Sequence, residues 1–282
     1  IGKNGADGAY ISLESYPGER AIIDANFTRP YGIYTRQSTY IRISGFEIRN
    51  LKAAGTSYGT GIGTYENTDH VIIENNIIHT IFGGGGLPSQ GIRLWGQNII
   101  VRNNTVYEIV GSDESMGIQA DQVQSTTLQN NLVYLVDKEA IRLICGDTDT
   151  VNVVEGNITL HSHVGISINT CRPTTQSTYV RNNFSGWNWG LGVQTKHARN
   201  TVVKNNTIVK NGNLGIDLHG NGLVGGDVYY PTVKNNILAD NQQAWWMWDS
   251  EVFNESVDYN FYQYTTGTLL AAFDWSNAHK LF

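Results

Sequence analysis

Basic residues recur at one phase of this sequence. An apolar phrase opening Gly-Ile, Gly-Val or Ala-Ile repeats along the chain. The first and third positions after its Ile or Val hold Tyr34 and Arg36, Gly63 and Tyr65, Arg93 and Trp95, Gln119 and Asp121, Arg142 and Ile144, Ser167 and Asn169, Gln194 and Lys196, and Asp217 and His219. Side chains alternate along a strand, so if the apolar residue points inward these positions share an outer face. Lys+Arg is 19 and Asp+Glu 25, for a net charge of -6, and only 16% of residues are charged. Scarce cations nonetheless fall on that face as Arg36, Arg93, Arg142 and Lys196, with Tyr65 and Trp95 among them, so a basic stripe is expected on an acidic protein. Such a mixture suits an anionic sugar chain. Arginine grips a carboxylate bidentately, and aromatic rings stack on sugar faces.

The chemistry these types support is β-elimination on a uronate. One group must neutralise the carboxylate, a base must take the adjacent proton, and an acid can protonate the leaving oxygen. Arg142 fits the first role. Lys196, or Lys138 in the string Asp137–Leu143, fits the second, because a lysine beside other cations and away from water becomes a base. Lys196 is two repeats from Arg142, roughly 10 Å if each repeat is one rung. His219 is a candidate acid. Arg93, Trp95, Tyr65, Gln119, Asn169 and Gln194, with Trp187 and Trp189, are the expected sugar contacts.

Carboxylates offer a competing reading. Asp121 with Glu139 or Asp113 would make a glycosidase pair, whose separation decides the stereochemistry. Oxygen-rich loops are also compatible with Ca²⁺, though no metal is required by the sequence. Asp147-Thr-Asp149 reads as turn residues, and His161-Ser-His163 as an isolated polar pair.

The elements that position these residues follow from a second repeat. Val71–Ile78, Ile99–Val106, Thr126–Val133, Asn152–Thr159, Thr178–Ser185, Thr201–Ile208 and Pro231–Leu238 all read as apolar alternation, Asn-Asn or Gly-Asn, then another apolar residue. The second Asn falls at 76, 104, 131, 157, 183, 206 and 236, in steps of 28, 27, 26, 26, 23 and 30. A unit of that length made of short strands cannot bury its own face, whereas stacked units can. The pattern predicts an all-β parallel β-helix of about nine to ten rungs, residues 1–244, with the repeated Asn in left-handed corners and their amides stacked in a ladder. Trp245, Trp246, Met247 and Trp248 open an aromatic segment, 245–282, expected to cap the last rung or to serve an oligomer contact.

Composition excludes other classes. No run of 18 apolar residues exists to span a membrane as a helix, and an acidic chain without basic blocks does not suit nucleic acid. Cys145 and Cys171 are one repeat apart, at nearly equal offsets from their Gly-Ile or Ala-Ile phrase, so stacked rungs would bring them to bridging distance. A bridge implies an oxidising compartment, hence secretion or the periplasm. Residues 1–7 lack the charged and apolar regions of a signal peptide, so the chain reads as trimmed there.

The order of phrases resembles the right-handed parallel β-helix of the pectate-lyase-like superfamily over about Tyr10 to Asn241, and Tyr10–Ala25 resembles the opening coil of its secreted bacterial members. The resemblance implies that substrate lies along the sheet of Gly-Ile strands, walled by the long connections Leu51–Thr60, Thr80–Gln90, Tyr107–Met116, Tyr134–Glu139, His161–Val164 and Phe184–Trp189. It also implies a Lys or Arg base, in some members with Ca²⁺. The paired-Asp signature of the polygalacturonases and the aspartate run of the pectate lyases are absent. We therefore expect a secreted polysaccharide lyase acting on a uronate polymer. The alternatives are a glycoside hydrolase, or a non-catalytic carbohydrate-binding or tailspike-type module.

Overall fold

The computed structural model describes residues 3–55, 57–84, 86–111, 114–145, 149–171, 173–220, 228–247 and 252–263. Within them the strands pair in parallel, each coil lying on the one before. One strand of each coil joins a ten-stranded sheet running from Ile11–Glu14 to Ser256–Asp258, most of the others join a 17-stranded sheet folded into two faces, and Val228–Tyr229 pairs separately with Val252–Phe253. A representative coil is Ile100–Arg102, Thr105–Val110 and Met116–Val123.

Register turns the sequence phrases into columns. On the first face Ile43, Ile73, Val101, Leu128, Val154, Val180 and Val203 stack directly. On the Gly-Ile face Ile33, Ile62, Ile92, Ile118, Ile141, Ile166, Val193 and Ile216 do the same, and all are buried. Each contributes about 1.5–3 kcal/mol through removal of its side chain from water. The glycine opening the phrase lets the coils approach: a Cβ on Gly91 would lie 2.6 Å from the Gly117 carbonyl oxygen and run into Val106.

The Asn pair divides its labour. The first member takes the left-handed conformation, at Asn75, Asn103, Asn130, Asn182, Asn205 and Asn235, with Gly156 in the same place. The second forms the ladder. Asn104 Oδ1 accepts from the Asn76 N–H at 3.0 Å and from its amide at 3.1 Å, and Asn104 Nδ2 donates to the Ile73 carbonyl at 2.9 Å. The pattern runs on through Asn131, Asn157, Asn183, Asn206 and Asn236 to Asn260. A second ladder, from Ser162 through Asn188 and Asn211 to Asn241, lines another corner.

Two expected walls are not loops. Tyr134–Glu139 and His161–Val164 lie inside the continuous strands Leu132–Cys145 and Ile158–Asn169. One left-handed residue in each, Leu135 and His161, bends the chain without adding length. The sulfurs of Cys145 and Cys171 are at bonding distance, 1.99 Å, with the Cα atoms 4.5 Å apart. Gln243–Met247 pairs with Leu214–His219 as a further Gly-Ile-type strand, which puts Trp245 in the core and Trp246 above Asp217. The boundary expected at Ala244/Trp245 falls within it. Trp248 and residues 264–282 of the expected cap lie outside the described residues.

Candidate active site

The Gly-Ile face carries three outward rows. The central one is Arg93, Gln119, Arg142, Ser167, Gln194, Asp217 and Trp246. Toward the strand ends run Ile144, Asn169, Lys196 and His219. Toward the strand starts run Gln90, Met116, Glu139, Val164 and Leu191. Strict alternation from Ile141 would turn Glu139 inward. Glu139 nonetheless reaches Arg142 and lines the cavity, and the register is irregular just before it, between Val136 and Glu139.

Lys138, Glu139, Arg142, Asn169, Gln194 and Lys196 line one cavity of about 310 Å³, with His163 and Leu191 on its rim. Arg142 and Lys196, two coils apart, therefore share one space, and Lys138 joins them. Arg142 Nε is 3.4 Å from Glu139 Oε2. Glu139 is 7% exposed. Burial pushes its carboxyl above the ordinary range, against the pull of Arg142, a hydrogen bond donated by Ser167, and the charges of Lys138 and Lys196.

A second cavity, about 440 Å³, adjoins it and is lined by His163, Asn213, Asp217, His219, Gln243 and Trp246. Gln194 Nε2 donates to Asp217 Oδ2 at 2.8 Å. Burial raises the Asp217 carboxyl; the Gln194 bond and the charges of His219 and Lys196 lower it in part. Trp189 is exposed and stacks 6.5 Å from His163, which lines both cavities.

At the other end of the face Tyr65 stacks on Trp95 at 4.9 Å, and the Arg93 guanidinium lies over the Trp95 and Tyr58 rings. Beneath them Gln90 donates to Gln119, and Gln119 to Asp121 at 2.9 Å. Asp121 Oδ2 is 3.7 Å from an Arg93 nitrogen. Trp187 is placed elsewhere, on the neighbouring face with His161, Phe184 and Lys210.

The basic stripe is therefore interrupted. Arg36 pairs with Glu66 at 2.6 Å, Arg93 with Asp121 and Arg142 with Glu139. In the central cavity three cations, Lys138, Arg142 and Lys196, face one carboxyl, Glu139. Asp149 accepts the Thr175 hydroxyl and the N–H groups of Thr174, Thr175 and Gln176, which hold its carboxyl far below the usual range and make it a turn residue. Asp113 and Asp147 lie outside the described residues. Among the described residues no three His, Cys, Asp or Glu side chains gather as a cation site.

A stack of parallel coils with a polar, aromatic-edged groove along one face defines the molecule as a β-solenoid. The chain belongs to the right-handed β-helix family: residues 90–277 match the family described as "Right handed beta helix region". No curated protein sequence matches it. Among solved structures it is similar to the Dettilon tailspike protein, at 11% identity over 92% of this chain and 62% of that one, with a TM-score of 0.55. It is similar to PfbA, a surface adhesin of Streptococcus pneumoniae, at 12% identity, 92% and 71% coverage and a TM-score of 0.54. An alginate lyase from Paenibacillus sp. gives 16% identity, 96% and 85% coverage and a TM-score of 0.51. This chain spans less than two thirds of the tailspike's length. At these identities the likeness concerns the fold.

Proposed function

We propose that this protein is a secreted polysaccharide lyase that cleaves a uronate-containing polymer by β-elimination in the central cavity. The observation that carries the reading is the convergence of Lys138, Arg142 and Lys196 around one buried carboxyl. Arg142 neutralises the substrate carboxylate and so acidifies the neighbouring C–H. Lys196 or Lys138 takes that proton. The electron pair left behind forms the new C=C bond as the C–O bond to the leaving sugar breaks. His219, one coil beyond Lys196, protonates the leaving oxygen. Asn169 and Gln194 offer hydrogen bonds to sugar hydroxyls, and Trp189 a stacking surface. The Cys145–Cys171 pair supports an oxidising compartment.

Two raised carboxyls, Glu139 and Asp217, favour the hydrolase as the second reading. Their backbone positions lie three coils apart, but Ser167 and Gln194 bridge the side chains, with Ser167 Oγ 3.5 Å from Gln194 Oε1 and Gln194 bonded to Asp217, so the reaction products and not coil spacing decide this reading. Product analysis separates the readings. A lyase gives an unsaturated sugar that absorbs in the near ultraviolet, while a hydrolase gives reducing ends without that absorbance. Reducing ends alone would reject the elimination, and neither product from any uronate polymer would leave a binding module. Since protein cations supply the neutralising charge, activity is expected to persist in a calcium chelator.

A further inference from the structure

The groove is not uniform along its axis. In the middle, Lys138, Arg142 and Lys196 share a cavity with one carboxyl. Three coils on, in the Arg142 row, stands Asp217, 5% exposed. Its cavity is walled by Trp246 and, among the described residues, contains no lysine or arginine. Toward the opposite end the floor is the Gln90–Gln119–Asp121 chain, and the arginine there, Arg93, is already engaged by Asp121.

A uronate carboxylate brought over Asp217 would meet a second, buried acid whose charge Lys196 and His219 offset only in part, with no arginine among the described residues lining that cavity, which is unfavourable. An uncharged sugar meets partners instead. Its C–H face packs on Trp246, its hydroxyls donate to Asp217, and Asn213 and Gln243 supply amides. Coils repeat every ~4.8 Å, close to the length of one pyranose unit. Arg142 and Asp217 therefore stand about three sugar residues apart along a chain lying in the groove.

Building on the lyase reading, we infer that the substrate is a heteropolysaccharide, carrying a uronate at Arg142 and uncharged sugars at the Asp217–Trp246 cavity and over Tyr65 and Trp95. Asp217 is then a specificity determinant that disfavours homopolymers of uronic acid.

The test compares galacturonate and mannuronate homopolymers with polymers in which glucuronate alternates with neutral sugars, reading unsaturated product. The native protein should show a kcat/KM roughly tenfold or more higher on an alternating polymer. Asp217→Asn removes the charge while keeping an oxygen that accepts from Gln194, and should narrow that preference by raising activity on the homopolymers. Trp246→Ala should raise KM for the alternating polymer. Binding of the neutral oligosaccharide to native protein and to Trp246→Ala, followed by calorimetry, gives a readout that stands if Asp217→Asn does not fold. Equal or better turnover of homopolymers by the native protein would overturn the inference and leave the lyase reading intact. So would a preference unmoved in a folded Asp217→Asn. No unsaturated product from either polymer class would instead sink the lyase reading itself.

Discussion

Glu139 and Arg142 sit three residues apart on one strand, and their pairing sets how the protein answers pH. Burial raises the Glu139 carboxyl above its ordinary value of 4.5. The native state thus holds this proton more tightly than the unfolded chain does. The stability it contributes is full below the unfolded value and fades as pH rises through the raised one. Asp217 acts in the same direction. Glu139→Gln carries no such titration. Its melting temperature relative to the native protein should climb between pH 4.5 and the raised value and then level off; a pH-independent difference would contradict the assignment. Turnover tests the cations. Loss of the base should cut kcat roughly 10²–10⁴-fold with a modest change in KM, so Lys196→Ala and Lys138→Ala are compared with Arg142→Lys on one polymer. Full turnover in both lysine variants would reject a lysine base. Arg142, Lys196 and Asp217 were readable on this face because they follow the Gly-Ile or Ala-Ile phrase at fixed offsets, and Glu139 was named as a candidate carboxylate. The pairing of Glu139 with Arg142 was not readable, because strict alternation turns Glu139 inward, and the burial of Asp217 depends on Gln194 and Trp246 from neighbouring coils.

At the level of strands and corners, the Asn-Asn phrase announced both the period and the ladder, since seven copies at one phase admit few other packings. What it did not distinguish was the two members of the pair. Asn104→Ala would orphan the buried N–H of Asn76 and the carbonyl of Ile73, costing about 3 kcal/mol. Asn103→Ala leaves those bonds alone and places alanine at φ 55°, costing about 1 kcal/mol. Thermal unfolding should therefore rank Asn104→Ala well below Asn103→Ala; the reverse order would contradict the ladder. The second ladder went unread because its Asn residues, 188, 211 and 241, recur in only three coils, each five residues after a first-ladder Asn. The corners at Leu135 and His161 were mistaken for loops for a related reason. Leucine and histidine carry no turn signal, and their left-handed conformation is imposed by the stack.

Across the whole molecule, each coil contacts chiefly its two neighbours, so stability is close to a sum over coils and their interfaces. The Cys145–Cys171 pair ties two adjacent coils across 26 residues, a loop for which chain entropy gives about 3.5 kcal/mol. Cys145→Ser combined with Cys171→Ser should lower the unfolding midpoint accordingly, and reduction should do the same to the native protein and nothing to the double variant. The parallel register has a mechanical side. Every ladder bond points along the long axis, so tension applied between the two ends opens one interface at a time, like pages peeled from a stack. Each released coil of 26 residues would lengthen the tether by about 9 nm at ~3.6 Å per residue, giving a sawtooth of near-equal teeth. With the sulfurs joined, the residues between Cys145 and Cys171 stay locked out of the extension, and one tooth is missing until a reductant restores it.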